Sequence, residues 1–325
     1  MKDIFTLNLQ LFAETQTTLL SATGNNLSPE MKTFYDMTLI DEASAQLVHD
    51  QFGQKRPIPA NGGKTIEFRK FSSLPKATEA ITEGVTPKGN KLDVSTITAT
   101  VAQYGDFIVQ SDVLELTALD NTILEATKIL GKQAGLTLDT VVRDVLAGGT
   151  NVLYGSGCPN RESLDAGCTL TVNDIQKAVA MLRAMNAPTI NGDYVGIIHP
   201  YAAYDLMRDP EWIDSHKYAA PENLYTGEIG KVAGVRFVQT SEAKIINGGI
   251  FFTTIIGEGA YGVTEITGGG LQTIVKQKGS AGTGDPLDQR SSVGWKAMKT
   301  AEILVEQYMV RIESKGEWSE TVAEN

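Results

Sequence analysis

Apolar positions along this chain recur either every three to four residues or every second residue, and each change of period marks a change of element. The first pattern is period two: Ile4, Phe5, Leu7, Leu9, Leu11 and Phe12 are interleaved with Thr6, Asn8 and Gln10. That suits an arm adding an extended strand to another surface. A polar, Asn-rich stretch follows, and Ser28-Pro29-Glu30 then supplies an N-cap with proline at the first helical position. Met31, Phe34, Tyr35, Leu39, Ala43, Leu47 and Val48 give that helix one apolar face until Gly53 and Pro57 end it.

Two strand-like runs come next, Lys64 to Phe71 and Leu92 to Val101. Ile66 and Phe68 alternate with charged residues on one, and Ile97, Ala99 and Val101 with threonines on the other. The pattern predicts a hairpin with an oversized tip, because the connection of roughly 20 residues far exceeds the usual two to five. It carries Pro75, Gly84, Pro87 and Gly89 among mixed charges at Lys76, Glu79, Glu83, Lys88 and Lys91. Two readings stand: a mobile surface loop, or an arm that reaches a neighbour.

The strand pattern runs on from Phe107 to Val113. Thr122-Ile123-Leu124-Glu125 then reads as a capping box opening the longest helix, to about Leu146. Its stripe is Leu119, Ile123, Ala126, Leu130, Ala134, Leu138, Val141 and Val145, with Asp139 and Arg143 placed to pair at i,i+4. Gly131 and Gly135 inside it each cost about 1 kcal/mol relative to alanine, so a flex point or close packing has to compensate. After Gly148-Gly149 the periods alternate again. A helix capped by Asn173 carries Ile175, Val179, Leu182 and Met185, and a buried strand spans Val195 to Ile198. A short helix spans Tyr201 to Met207, and strands fall at Val235 to Val238, Ile250 to Ile256 and Leu271 to Val275. From Val293 to Ile312 the apolar phase switches from odd to even numbers, as a break between two strands requires. The fold class is therefore α+β.

Length and composition add limits. At about 150 residues per domain, 325 residues make two domains or one elaborated domain, and 42% hydrophobic with 21% charged residues is ordinary for a globular chain. A net charge of −11 repels phosphate backbones, which argues against a dedicated nucleic-acid binder. Cys158 and Cys168 are too few for a disulfide framework and too far apart for a CxxC pair, so a reducing, cytosolic origin is the simplest expectation. No apolar run of about 18 residues suggests a membrane span, and the N-terminal alternation is not a signal peptide.

Candidate chemistry is sparse. Gly257-Glu258-Gly259-Ala260-Tyr261-Gly262 matches GxGxxG after a strand, which raises a nucleotide-binding enzyme as an alternative. Val263 to Thr267 alternates like a strand, however, and leaves no helix N-terminus for a pyrophosphate. Asn61-Gly62-Gly63-Lys64-Thr65 lacks the first glycine of a phosphate loop. His49, His199 and His216 show no metal-ligand spacing, and Asp209 with Glu211 sits at a helix end. No catalytic residue, cofactor or metal site is expected.

The order of elements, together with Asn8-Leu9-Gln10-Leu11-Phe12-Ala13, Gly227-Glu228-Ile229-Gly230 followed by Gly234-Val235, and Asp285-Pro286-Leu287-Asp288-Gln289-Arg290 leading into Gly294-Trp295-Lys296, resembles the major capsid proteins of tailed bacteriophages. Within them it looks like the family named after a coliphage N-four coat protein, with the Hong Kong phage-type capsid fold. The resemblance implies an N-arm and first helix over 1–54, an extended E-loop over 55–101, a peripheral (P) domain with a spine helix over 102–150 and 271–325, and an axial (A) domain over 151–270. It also implies self-assembly into hexamers and pentamers of an icosahedral head around double-stranded DNA, touched non-specifically. Portal and scaffolding proteins and a decoration protein are the implied partners. The implied location is the virion capsid, assembled in the host cytoplasm. The fold is shared with encapsulins, so a protein compartment of that kind is the alternative within it.

Overall fold

The computed structural model describes residues 29–44, 46–71, 74, 76–78, 80, 83–84, 86, 89–117, 122–213, 230–246, 248–280 and 285–325. The alternating N-arm, His216 and the Gly227-Glu228-Ile229 motif lie outside the described residues. The organising element is helix α3, Thr122–Ala147, which buries Leu130, Ala134 and Leu138 and, further along, Val142 and Leu146. The apolar face thus passes through Val142 and Leu146 rather than Val141 and Val145. Helix α1, Pro29–Ser44, starts where Pro29 predicts and lies along α3 in the same direction, with Leu39 beside Gly131 and Ala43 beside Gly135.

Two sheets pack on α3. The first contains β1 (Gln54–Lys55), β4 (Ala102–Ser111), β11 (Tyr261–Glu265), β12 (Gln272–Lys276) and β13 (Arg290–Ile303), in the order β1-β11-β13-β12 with β4 along the other side of β13. Val293, Trp295 and Ala297 of β13 point at Leu130, Ala134 and Leu138. The second sheet runs β5 (Val152–Tyr154), β14 (Met309–Ser314), β10 (Ile250–Ile256), β6 (Tyr194–Ile198), β8 (Val235–Gln239), β7 (Lys231–Val232), with β9 (Ile245–Ile246) on β10. Helices α4 (Val172–Ala184) and α5 (Pro200–Met207) supply its core through Ile175, Leu182, Ala203 and Leu206. A third cluster, Val142, Leu146, Ile197, Ile256, Tyr261, Ala301 and Met309, joins α3 to both sheets. Among the described residues, β2 (Thr65–Phe71) and β3 (Val94–Thr100) pair only with each other.

Several expectations are corrected. The strand through Val113 stops at Ser111, because Asp112 Oδ1 accepts the Val113 N–H at 2.8 Å and Ser111 Oγ the Leu114 N–H at 3.3 Å, turning 112–117 into helix α2 (Asp112–Thr117). Thr171 rather than Asn173 caps α4, its hydroxyl accepting from Asp174 N–H. The Thr122 hydroxyl donates to Gln110 Oε1 at 3.1 Å and Glu125 pairs with Lys128, so the anticipated capping box is used otherwise. Asp139 and Arg143 do not pair: Arg143 bonds Asp144 and the Glu242 carbonyl. The two cysteines are joined in a disulfide, contrary to the reduced expectation. The loop between them turns back so that their Cα atoms lie 6.4 Å apart, which sequence spacing alone does not reveal. Strand β11 belongs to the first sheet and β14 to the second. The odd-to-even phase switch is the break between β13 and β14, bridged by the turn Glu306–Tyr308.

Candidate functional site

The hairpin of β2 and β3 is hydrogen-bonded into neither of the two larger sheets. Seven residue pairs, Thr65↔Thr100 through Phe71↔Val94, hold it in register. Its root is anchored: Phe68 and Ala99 are buried, and Phe68 lies so close to Gly262 of β11 that a Cβ there would sit 2.9 Å from the ring. Arg56 stacks over the same ring at 5.8 Å. Away from the root the hairpin lacks cover, and Leu74, Leu92 and Val94 are exposed. Of the charged tip residues, Lys76, Glu83 and Lys91 are exposed and have no ion pair among the described residues, whereas Glu79 and Lys88 lie outside them. A two-stranded ribbon of this kind is marginal alone and gains from a surface to lie on.

A second exposed surface forms where β4 runs into α2. Strand β4 pairs with β13 across ten residues, Ala102↔Lys299 to Ser111↔Arg290. Its Tyr104 and Ile108 face α3, so Phe107 and Val109 project from the opposite face, where they are exposed. Val113 and Leu116 on α2 and Leu287 in the turn before β13 are exposed as well, Leu116 at 81%. That turn is built by Asp285, whose Oδ2 accepts the Arg290 N–H at 2.8 Å, which accounts for the Asp285-to-Arg290 motif. Large side chains left exposed on one sheet face and the helix beside it mark an interaction surface more often than chance exposure.

Beneath these surfaces, α1 is clamped to α3 at Gly131 and Gly135. A Cβ on Gly131 would lie 2.9 Å from the Leu39 carbonyl oxygen, and one on Gly135 would lie 2.4 Å from that of Ala43. The glycines let the helix backbones approach. One turn further along, the carboxylate of Asp139, fully buried, accepts the backbone N–H of Val48 at 2.9 Å and of His49 at 2.7 Å, and meets His49 Nδ1 at 2.7 Å. Burial keeps the Tyr261 hydroxyl protonated, and it donates to the His49 carbonyl. Asp50, next in sequence, pairs with Lys299 of β13 at 2.7 Å and Lys55 at 3.3 Å. This buried polar node ties α3, the segment after α1 and the first sheet together. Sequence reasoning missed it, because its partners are about 90 residues apart.

Gly257 to Gly262 forms the turn from β10 into β11, with Gly259 at φ 72° and no helix after it, so nothing there cradles a phosphate. Asp209 and Glu211 are engaged locally: Asp209 accepts the N–H of Val172 at the start of α4 and of Glu211. His199 caps α5, its Nδ1 accepting the Tyr201 N–H. Among the described residues no acidic, histidine or cysteine group is arranged to hold a metal ion, and no helix is long and apolar enough to cross a membrane.

A family model described as phage capsid protein matches residues 94–311. The fold is similar to the capsid of cyanophage P-SCSP1u, with a TM-score of 0.66, 16% identity, and 83% of this chain and 89% of that one covered. It is also similar to the capsid of cyanophage Pam1, at a TM-score of 0.65, 13% identity and 98% and 100% coverage. A virus-like particle from Pyrococcus furiosus shares the fold at a TM-score of 0.53 and 12% identity, with 87% and 99% covered. No curated protein matches the sequence.

Proposed function

Because the chain belongs to the phage capsid protein family, we propose that it is the structural subunit of an icosahedral phage head, assembling with copies of itself into hexamers and pentamers. The carrying observation is the family match across both sheets and α3, and the fold likeness to the Pam1 capsid extends over nearly the whole chain. In this reading β2 and β3 with their charged tip are the E-loop, and α3 with the first sheet is the P domain. The second sheet with α4 and α5, including β14, is the A domain. The chain acts by association rather than catalysis, with no cofactor.

The exposed hairpin and the Phe107, Val109, Leu116 surface are then faces that neighbouring subunits cover, and many weak contacts repeated by symmetry hold the shell. The net charge of −11 fits a wall that touches packaged DNA without adhering to it. Portal, scaffolding and decoration proteins, and assembly in the host cytoplasm, complete the proposal. The likeness to the Pyrococcus particle keeps the fold common to compartments of that kind, while the family match favours a phage head.

Removing the tip, Lys76 to Lys91, tests the arm assignment. The reading expects a subunit with an unchanged circular dichroism spectrum that no longer closes shells. Loss of cooperative subunit folding would show that the tip belongs to the core and overturn the assignment.

A further inference from the structure

Cys158 and Cys168 bracket a loop that carries a positive charge onto the buried edge of the second sheet. Asn160 caps the short turn Arg161–Ser163, accepting the Ser163 N–H at 2.9 Å. The turn presents Arg161 to Glu313 of β14 as a fork, with Nε 2.6 Å from Oε2 and Nη2 2.5 Å from Oε1. Glu313 is fully buried and also accepts from Arg311 Nε at 3.0 Å, while Arg311 donates to the carbonyl of Ala147, the last residue of α3. Both guanidinium groups lie over the Phe252 ring, at 5.9 and 4.7 Å. A line of charge-assisted bonds therefore runs from the cysteine loop to the end of α3, and the disulfide closes the loop that anchors it.

The same site suits the thiol form. Cys168 Sγ lies 3.4 Å from Asp165 Oδ1 and 3.7 Å from the Ser163 carbonyl. A disulfide sulfur has no hydrogen to give them, whereas a thiol S–H does. Cys168 is buried and Cys158 half-buried, so a small reagent meets Cys158 first.

We propose that Cys158 and Cys168 form an oxidation site closed after assembly: thiols while the subunit is in the reducing host cytoplasm, a disulfide once the particle is outside, locking Arg161 onto Glu313. The two compartments rest on the phage-head reading above. The oxidant is a low-molecular-weight disulfide. The Cys158 thiolate attacks one of its sulfurs, forming a mixed disulfide and releasing one small thiolate. The Cys168 thiolate then attacks Cys158 Sγ, forming the protein disulfide and releasing the second. The two cysteine protons end on the two small thiols, which carry away both electrons.

The test is to lyse producing cells in excess N-ethylmaleimide and to compare the Cys158 and Cys168 peptides by mass spectrometry with those of protein first incubated with oxidised glutathione. The expected result is two alkylated thiols at lysis and a disulfide after incubation, with an unfolding temperature raised by several °C and reversed by dithiothreitol. A Cys158→Ser, Cys168→Ser variant should match the reduced protein and ignore glutathione. A disulfide already complete at lysis, or identical unfolding temperatures for reduced and oxidised wild type, would overturn the proposal. Both readouts are made on the subunit whether or not shells form, so failure of the shell reading is seen separately, as absence of particles.

Discussion

Replacing Gly135 by alanine sets two effects of known size against each other. Alanine in the middle of a helix gains about 1 kcal/mol over glycine. The new methyl, however, would lie 2.4 Å from the Ala43 carbonyl oxygen, 2.9 Å from Gln46 Cβ and 3.0 Å from Ala43 Cα. Restoring ordinary contact near ~3.5 Å makes α1 retreat by about 1 Å, pulling Leu39 and Ala43 off the Leu130, Ala134 and Leu138 cluster. Overpacking of this kind costs about 1–3 kcal/mol and the propensity gain offsets about 1 kcal/mol of it, so Gly135→Ala should destabilise the subunit by up to about 2 kcal/mol net. At Gly131 the closest atoms stand at 2.9 and 3.0 Å, the retreat is smaller, and Gly131→Ala should be close to neutral. Both substitutions move the same helix, so the double variant should cost less than the sum. Denaturant unfolding of the three subunits is the assay. Gly135→Ala stabilised by the full propensity gain would refute the close-contact argument. A flex role at this pair predicts instead that the double variant keeps a stable subunit but closes shells poorly. Normal shell closure by a stable double variant would remove that role.

Two further perturbations probe buried polar groups. Asp139→Ala leaves the Val48 and His49 N–H groups and His49 Nδ1 without their acceptor and should cost about 3–5 kcal/mol in a thermal or denaturant melt, where a loss under about 1 kcal/mol would contradict the node. Burial holds the His199 imidazole pKa down to about 4 from 6.5, so the unfolded chain binds its proton first and stability is lost as pH falls from about 6.5 towards 4. Asp205, raised to about 6 by burial and then by Glu317, acts the other way: the native carboxyl keeps a proton that the unfolded chain releases above 3.8, so stability falls as pH rises from 3.8 through 6. His199→Asn, which keeps a side chain able to cap α5, should flatten the acid-side loss of melting temperature, and an unchanged pH profile would contradict the assignment.

Elements with a strong local signature were legible in the sequence. Pro29, the alternation on both hairpin arms, the stripe through Leu130 and Leu138, and the phase switch before Tyr308 each report a geometry set within a few residues. The tip charges and the glycine pair were legible as candidates for the same reason. What did not show is long-range or competitive. Asp139 sits at i,i+4 from Arg143 yet bonds His49 across the fold, because a buried carboxylate takes the partners that tertiary packing supplies. Thr171 outcompetes Asn173 as the α4 cap, and Ser111 with Asp112 ends β4 inside an apolar run, since local hydrogen bonds override the period. The disulfide depends on how the loop carrying Arg161 folds back, and the exposure of Phe107 and Val109 is hidden because neither pattern nor composition says which sheet face is left open.

The central claim is association into a closed shell, and electron microscopy of the purified protein across a range of salt and protein concentrations tests it most directly. The account predicts closed icosahedral particles or capsomer rings of six and five subunits, with the β2–β3 hairpin of each subunit lying on its neighbour. A monodisperse monomer by light scattering under every one of those conditions, with no ring or shell on the grids, would contradict it.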